Sequence, residues 1–345
     1  MIEIRKIRHD EIEKAEALMH AAFPKSYSSI FFLYEEHTIV AADGDRIVGG
    51  INMDVYDAGI RTGYIGWLYV DAEYRGMGIA GKLIDKAEEY LSGIGCREIA
   101  LCIEGDNPSS FGNFSRRGYS IMTFPEQVRV FGISFLKVWK RASRFFDRGY
   151  FMWHKGSVRS LEKGFRETLP SFILMLMLNT LLFIPVLLKT GNMSVVYTMI
   201  PSAALILRSM MLYLALRIQK RDAIFLSWDT SYFVSIISSL LLPMLFPSPG
   251  GVYIKGDRWS MAKEKDELGN AALAAVAAEA SALIVFMGTP YLLFALPLFI
   301  ADTLLPFYPF CGFQASRLRR RKDYPLIAFS AAAVSIASVL SLLLE

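Results

Sequence analysis

The chain has 345 residues, 53% of them hydrophobic and 20% charged, and its formal charge at pH 7 is +4. This length allows about two domains, and so small and dispersed a charge argues against a nucleic-acid-binding protein of the usual kind. Most charged residues precede Arg166, and long apolar stretches follow it. This asymmetry argues against a wholly soluble protein and predicts a soluble amino-terminal part joined to a membrane domain.

The opening of the chain and its cysteines indicate a cytosolic soluble part. Met1–Asp10 is charged and lacks the apolar core of a secretory signal, so we expect this part to stay in the cytosol. Cys96, Cys102 and Cys311 are too few and too scattered for a disulfide framework or a cysteine-based zinc site. We therefore expect ordinary buried thiols and no metal.

Strand and helix patterns alternate through the first 104 residues. The predicted elements are a strand at Ile2–Ile7, a helix at Asp10–Phe23, a hairpin of Thr38–Ala42 with Arg46–Met53, a strand at Gly63–Val70, a helix at Lys82–Leu91 and a fifth strand at Arg97–Glu104.

A glycine-rich turn joins the strand at Gly63–Val70 to the following helix. The turn contains Gly76 and Gly78, which have no Cβ and so permit a close approach of the backbone to a ligand. Its free N–H groups and the positive end of the helix point at one place, as a pyrophosphate site requires.

Two motifs in order carry a resemblance to the GNAT N-acetyltransferases over about residues 1–125. Arg75-Gly-Met-Gly78-Ile-Ala80 resembles that family's R-x-x-G-x-G/A acetyl-coenzyme A loop, and it follows the fourth strand as in the family. Asn107-Pro-Ser-Ser110, Phe114 and Arg116-Arg-Gly118-Tyr119 resemble the second signature, N-x-x-A…Y…K-x-G-F.

The resemblance implies acetyl-coenzyme A as co-substrate and direct acyl transfer to an amine. The implied cofactor-binding residues are Leu68, Tyr69, Val70, Arg75, Gly76, Met77, Gly78, Ile79, Ala80, Gly81 and Asn107. Candidate bases are Glu104 and, less favoured because it reads as a solvated loop carboxylate, Glu73. The family often places a tyrosine acid where this chain has Phe114, which has no proton to donate. Tyr119 is the predicted acid in its place, and water is the alternative.

Basic and aromatic residues alternate between Lys137 and Arg148. Such a segment is typical of a helix on an anionic inner leaflet, although a solvated linker helix is the alternative. In either case its basic excess predicts a cytoplasmic amino-terminal domain.

The second half predicts five membrane spans and an apolar hairpin. The spans are expected near 168–188, 194–216, 268–287, 290–312 and 325–344, and the apolar segment lies at 230–247. If that segment re-enters instead of spanning, Arg217–Arg221, Lys255–Lys265 and Arg317–Lys322 all lie inside, as the positive-inside rule prefers. Prolines and glycines between Pro243 and Gly251 favour this break.

The order of features after Leu207 resembles archaeal site-2 proteases, which are intramembrane zinc metalloproteases. The matching pieces are Arg217…Trp228, Pro249-Gly-Gly-Val-Tyr-Ile254, Gly269…Leu273-Ala-Ala-Val-Ala-Ala-Glu279 and Asp302-Thr-Leu-Leu-Pro…Phe310-Cys311-Gly312. The family's zinc-binding H-E-x-x-H falls on Arg208–Leu212, its L-D-G falls on Phe310-Cys311-Gly312, and no histidine follows His154. The resemblance therefore implies a pseudoprotease.

Charged residues inside predicted spans are costly unless they are paired or face water. Arg208 and Glu279 are expected to neutralise each other across the former cleft, with Asp302 capping a helix or joining the cluster. The alternative is that each lies in a polar pocket without functional use.

These patterns predict an α/β GNAT fold, a mixed central sheet flanked by helices, followed by an all-α polytopic membrane domain. The expected boundaries are 1–130 for the GNAT domain, 131–166 for a juxtamembrane linker and 167–345 for the membrane domain. The predicted function is that of a multi-pass cell-membrane N-acetyltransferase with a cytoplasmic GNAT domain, acting on an amine of a protein or small molecule. Membrane lipids and a partner transmembrane helix are further expected contacts, and nucleic acid is not. The alternatives are a non-catalytic acyl-coenzyme A sensor that grips a partner helix and, third, a transporter.

Overall fold

The computed structural model describes residues 2–156, 168–191, 195–256 and 260–333, which form two compact units. The first unit comprises the described parts of Met1–Ile103, Ser110–Arg144 and Phe151–Lys163. The second comprises those of Glu104–Ser109, Phe145–Tyr150 and Gly164–Glu345. The two short segments Glu104–Ser109 and Phe145–Tyr150 thus belong to the second unit, although the chain before and after each of them belongs to the first.

A mixed seven-stranded sheet organises the amino-terminal part, in the order β1-β2-β3-β4-β5-β7-β6. Its strands are β1 (Ile2–Lys6), β2 (Thr38–Asp43), β3 (Arg46–Asp57), β4 (Arg61–Val70), β5 (Glu98–Glu104), β6 (Ser120–Ile121) and β7 (Tyr150–Lys155). The accompanying helices are α1 (Ile12–Ala22), α2 (Ile79–Gly93), α3 (Pro108–Ser115), α4 (Phe124–Phe131) and α5 (Phe135–Arg141). The strands and helices predicted before residue 105 are confirmed, since each buries the apolar face that its periodicity indicated.

The pairing between β4 and β5 opens before β4 ends. The two strands are parallel and their register runs from Thr62–Glu98 to Ile65–Leu101. Beyond it, β4 continues to Val70 in antiparallel register with β3, where a bulge lies at Asn52–Met53. The strands β4 and β5 are therefore unpaired with each other beside Leu68–Val70.

The sheet extends beyond residue 130. In the chain, α4 and α5 lie between β6 and β7, and β7 pairs with β6 through Ser120–His154 and Ile121–Trp153. Residues 131–144 belong to the first compact unit.

The segment between Lys137 and Arg148 differs from the predicted surface helix. Trp139 is buried and its indole N–H donates to Gln127 at 2.7 Å, while Arg144 and Arg148 are buried as well. Phe146 and Arg141 are about half exposed. The segment thus has one buried and one exposed face, a pattern that resembles that of an interfacial helix.

The second unit is mainly helical. Its helices are α6 (Thr168–Lys189), α7 (Val195–Ile218), α8 (Ser231–Leu241), α9 (Met261–Phe286), α10 (Leu292–Leu304), α11 (Gln314–Arg321) and α12 (Tyr324–Ala333), and its strands are β8 (Ala223–Leu226) and β9 (Gly251–Ile254), which pair antiparallel. Within the described ranges three helices are long and apolar enough to cross a membrane, at Leu169–Lys189, Met199–Ile218 and Lys263–Phe286. Of the predicted span at 325–344, residues 334–344 lie outside the described part.

The apolar segment at 230–247 forms a short helix and a return. α8 has 11 residues, about 16 Å at 1.5 Å per residue, whereas a span needs about 20 residues. Ser235 donates to the carbonyl of Phe246, Ser238 accepts from its N–H, and Asn179 accepts from the N–H of Ser248. Side chains thus satisfy the irregular backbone of the return, as the predicted hairpin requires.

The three basic segments of the second half lie at one end of α9. Arg221 bonds Glu264 and Glu267, Lys255 donates its backbone N–H to Asp222, and Arg321 bonds Asn270. Their common location agrees with the hairpin arrangement, in which all three lie on one side.

Candidate functional site

The glycine-rich turn between β4 and α2 is tied at both ends. Asp71 accepts the N–H of Glu73 at 3.1 Å and a guanidinium N–H of Arg46 at 2.7 Å. Arg75 donates to the carbonyl of Val70 at 3.3 Å. These contacts hold the turn in the shape that leads the chain from the strand into the helix.

The start of α2 offers backbone donors beside open space. Gly76 and Gly78 have φ of 83° and 76°, a conformation that favours glycine, and nothing lies within 4 Å of where their Cβ atoms would be. Gly78 is the N-cap, so the N–H groups of Ile79, Ala80 and Gly81 fall in the first turn, which has no intrahelical acceptors. Such an N-terminus binds anions.

Arg117 lies over this first turn, which the sequence analysis did not anticipate. It bonds Asp85 at 2.6 and 3.2 Å and the carbonyl of Asn113 at 2.9 Å. A Cβ on Gly81 would meet its Nη2 at 2.7 Å. The second motif therefore contributes a cation to the helix start, and the pairing with Asp85 could not be found from sequence because it spans 32 residues.

The end of β4 beyond Ile65 is paired on one side, with β3. Tyr69 is buried and its hydroxyl donates to Asn52 at 3.4 Å, while Leu68 and Val70 are half-buried. The structure thus brings the predicted residues of β4 and the turn into one continuous stretch that ends at the helix start.

Trp67, which also lies on β4, is surrounded by aromatic rings from an earlier part of the chain. Phe23, Tyr27 and Phe31 lie 5.1, 6.1 and 4.7 Å from its ring, all edge-on. A Cβ on Gly66 would meet the Phe32 ring at 2.2 Å. No sequence signal singled out these rings, because Phe23 ends the predicted helix and the others follow it in a segment without helix or strand periodicity.

Phe114 and Tyr119, the two positions of the predicted acid, are in contact. Both are buried, and their rings lie 5.1 Å apart, edge to face. Burial, followed by the charge of Glu88, raises the pKa of Tyr119 above its ordinary range. Its hydroxyl therefore stays protonated at neutral pH, the form that a general acid requires.

The two candidate bases have different surroundings. Glu73 is exposed and pairs with Arg46 at 2.8 Å. Glu104 ends β5, belongs with the second unit, and pairs with Arg320 at 2.6 Å. Burial raises the pKa of Glu104, while the positive charge of Arg320 opposes that rise. Asn107 also lies in the second unit and donates its backbone N–H to the carbonyl of Glu104 at 3.0 Å.

The charged residues of the second unit's apolar helices form one cluster. Arg208 bonds Glu279 at 2.9 Å and Asp302 at 2.6 and 3.1 Å, and all three are buried. Asp302 also accepts the N–H of Gln314 at 2.8 Å. The expected neutralisation is confirmed as a contact, and Asp302 joins it. Within the described ranges no group of three or more His, Cys, Asp or Glu is arranged to hold a metal ion.

Comparison with known proteins defines the family of the first part. The model of the acetyltransferase (GNAT) family matches residues 4–119. N-alpha-acetyltransferase 30 of Schizosaccharomyces pombe is 30% identical over 126 residues, which cover 34% of this chain and 84% of that protein. An acetyltransferase of Sodalis glossinidius is 30% identical over 134 residues, covering 35% and 88%. A solved structure, the NatC complex bound to Gag peptide and CoA, has 22% identity and a TM-score of 0.36, with 46% of this chain and 99% of that chain covered.

The chain belongs to the GNAT acetyltransferase family, through a domain that includes residues 4–119. The resemblance inferred from the glycine loop and the second motif is thereby confirmed for this part.

Proposed function

We propose that the protein is a membrane-anchored N-acetyltransferase that transfers an acetyl group from acetyl-coenzyme A to an amine. The observation that carries this proposal is the first turn of α2. Its backbone N–H donors and the unobstructed glycines before it follow the end of β4, which pairs only with β3. Family membership supports the reaction class.

The turn residues would hold the co-substrate. Backbone N–H groups from Gly76 to Gly81 suit a pyrophosphate because they are donors at a helix N-terminus. The free edge of β4 at Leu68–Val70 suits an amide-containing arm, which pairs with a strand as another strand does. Asn107 is the remaining proposed contact.

The proposed reaction is a single displacement. The acceptor amine attacks the thioester carbonyl, a C–N bond forms, the C–S bond breaks, and the thiolate takes a proton. Glu104 would remove the proton from the amine, and Tyr119 would protonate the thiolate. Glu104 suits the base because its raised pKa lies nearer neutrality than that of an exposed carboxylate.

The aromatic rings around Trp67 suit an acceptor with an apolar group beside its amine. The three rings of Phe23, Tyr27 and Phe31 lie edge-on at 4.7 to 6.1 Å from Trp67, and none of the four rings carries a charge. A protein amine or a small apolar amine both fit this description.

We further propose that the helical part anchors the enzyme in the cell membrane and keeps the GNAT domain in the cytoplasm. The three long apolar helices support insertion. The paired Arg208, at the position of the first zinc ligand in the site-2 protease resemblance, supports a proteolytically inactive bundle. The second candidate function is an acyl-coenzyme A sensor whose bundle holds a partner helix, favoured by Phe114 at the usual tyrosine position.

Isothermal titration of the detergent-solubilised protein with acetyl-coenzyme A tests the site. Gly78→Glu is expected to weaken binding at least about 100-fold, because it strains a left-handed position and places a carboxylate beside the pyrophosphate. Gly59→Glu is the matched control, since Gly59 has φ of 83° and equally open surroundings.

The outcomes separate the candidate functions. Normal binding by Gly59→Glu and lost binding by Gly78→Glu support the proposed site. Release of coenzyme A thiol with any amine excludes a purely sensory role, whereas binding without turnover across a broad amine panel favours the sensor. A folded wild type that binds no acetyl-coenzyme A would contradict both.

A further inference from the structure

The segment that follows β5 is held by a helix more than 200 positions later in the chain. Glu104–Ser109 belongs to the same compact unit as α11, and α11 supplies two arginines to it. This segment contains Glu104 and Asn107, two residues of the proposed transfer site. Its immobilisation is therefore of direct interest for the reaction.

Arg317 binds the segment through Asp106. Its Nε and Nη2 donate to the two carboxylate oxygens at 2.7 and 3.0 Å, and both side chains are buried. Nη2 also donates to the carbonyl of Val252 at 2.7 Å. A bidentate pair fixes both the position and the orientation of the carboxylate.

Arg320 lies one helical turn further along α11 and binds Glu104. Its Nη2 donates to Oε1 at 2.6 Å, and the Glu104 side chain is 13% exposed. The other charged or titratable groups that face Glu104 are Arg317, Asp106 and Tyr253.

Close backbone packing leaves the segment little freedom between these ion pairs. The N–H of Gly105 donates to the carbonyl of Gly149 at 2.8 Å, and a Cβ on Gly105 would meet the Tyr253 ring at 2.2 Å. Tyr253 is fixed by the indole N–H of Trp228 at 2.9 Å. Ion pairs thus hold Glu104 and Asp106, and close backbone packing holds Gly105 between them.

We propose that Arg317 and Arg320 are positioning residues for acetyl transfer, which place Glu104 for its work as base. The inference rests on the proposed function. A buried ion pair adds little net stability, because desolvation offsets its attraction. A buried pair at Asp106 and a partly buried pair at Glu104, both on one short segment, are better explained by a requirement for orientation. Acetyl transfer then depends on a helix of the membrane part, so that part does more than anchor the enzyme.

Arg320 has a second effect, on the charge of Glu104. Its positive charge favours the ionised carboxylate, the form that accepts a proton from the amine. Removing it raises the pKa of Glu104, so the acidic limb of the rate profile is expected to move to higher pH.

The test compares three variants of the full-length protein in detergent. Arg320→Gln is expected to lower kcat about tenfold at pH 6.5 and to move the acidic limb upward, while the Kd for acetyl-coenzyme A stays within about twofold. Arg320→Lys is expected to restore the position of the limb, because it restores the charge. Arg319→Gln removes the same charge from an exposed position on α11 and is expected to leave kcat and the profile unchanged.

The role of Arg317 is tested by a double-mutant cycle with Asp106. Arg317→Gln is expected to lower kcat about tenfold without changing the Kd, and Asp106→Asn is expected to have a similar effect. The double variant is expected to lose no more than either single one, because both remove the same contact.

The results distinguish this inference from the proposed function. If the wild type turns over amines and Arg320→Gln has the same pH profile as Arg319→Gln, the positioning role is wrong and the function stands. If Arg320→Gln and Arg319→Gln lose activity alike, general damage to α11 explains the loss and the inference is again wrong. If the wild type binds acetyl-coenzyme A but turns over no amine, the function itself fails and the inference with it.

Discussion

Phe114 places a buried ring where the family's signature has a tyrosine, in contact with Tyr119. Phe114→Tyr would supply a second phenolic proton at the usual position of the acid. We expect it to raise kcat about tenfold or more, since a positioned acid contributes about 10²–10⁴-fold.

Steady-state release of coenzyme A thiol measures this effect. Phe111→Tyr is the matched control, because Phe111 lies on the same helix and is equally buried. If kcat of Phe114→Tyr does not exceed that of the wild type or of Phe111→Tyr, then Tyr119 already serves as the acid or no phenol is needed. Tyr119→Phe, which is expected to lower kcat, separates these two explanations.

Glu11 forms a two-pronged ion pair with Arg5 at 2.7 Å for each contact, and its side chain is 6% exposed. The hydrogen bond from Arg5 is the largest cause that lowers the pKa of Glu11 from 4.5 to about 2. A lowered carboxylate pKa stabilises the fold above the unfolded value and loses that contribution as pH falls through the folded value. The window is therefore pH 4.5 down to 2.

We expect ionisation of Glu11 to make the fold on the order of 3 kcal/mol more stable at neutral pH than below this window. Tryptophan fluorescence during urea unfolding at several pH values measures the change. Glu11→Gln is expected to be less stable at pH 7 and less dependent on acid, whereas Glu13→Gln, at an exposed position of α1, is expected to follow the wild type. Equal acid sensitivity of the two variants would contradict this assignment.

At the scale of elements, α7, α9 and α10 meet at the cluster of Arg208, Glu279 and Asp302. One cation faces two carboxylates there. Arg208→Gln leaves the two carboxylates without a cation, and a broken buried pair costs about 3–5 kcal/mol. Glu279→Gln leaves one cation with one carboxylate.

We therefore expect a large loss of thermal stability for Arg208→Gln and a small one for Glu279→Gln. Melting of the detergent-solubilised variants, followed by circular dichroism at 222 nm as a general helix signal, measures both. A loss in Glu279→Gln as large as that in Arg208→Gln would show that Glu279 matters beyond its charge.

Elements also show where a periodic pattern is ambiguous. Strands and helices up to Glu104 were predictable because one face of each is apolar and the turn between β4 and α2 has glycines at fixed places. The Lys137–Arg148 segment was misread as a surface helix, since buried Trp139 and Arg144 produce the same alternation as an interfacial one. Hydrogen bonds such as that of Trp139 to Gln127 decide between them.

For the molecule as a whole, the location of the three basic segments predicts the topology. Arg217, Lys255 and Arg319 are exposed and lie toward the end of α9 that begins at Met261, whereas Met287 lies just beyond its other end. We expect cysteines at the first three positions to react with a membrane-impermeant maleimide on one side, and a cysteine at Met287 on the other.

Sealed vesicles of known orientation allow this measurement, in a background with Cys96, Cys102 and Cys311 replaced by serine. Labelling of Lys255→Cys from the side opposite to Arg217→Cys would mean that 230–247 spans fully. Uniform labelling of all four positions from both sides would mean that the helices do not insert.

The sequence by itself determined the GNAT domain, the glycine turn and the apolar stretches, because each depends on residues within about ten positions of one another. It also indicated that Arg208 and Glu279 would meet, since an unpaired charge among apolar helices is costly, and it left open whether Asp302 caps a helix or joins them.

Only the tertiary structure decided which residues hold the segment after β5, where the strand that follows α4 and α5 joins the sheet, and which rings surround Trp67. The physical reason is the separation of these residues along the chain. Arg317 and Asp106 lie 211 positions apart, and neither the period of a helix nor that of a strand relates residues so distant. The sequence places Arg317 to Lys322 on the inner side of the membrane as a basic segment. The tertiary structure pairs Arg317 with Asp106 and Arg320 with Glu104.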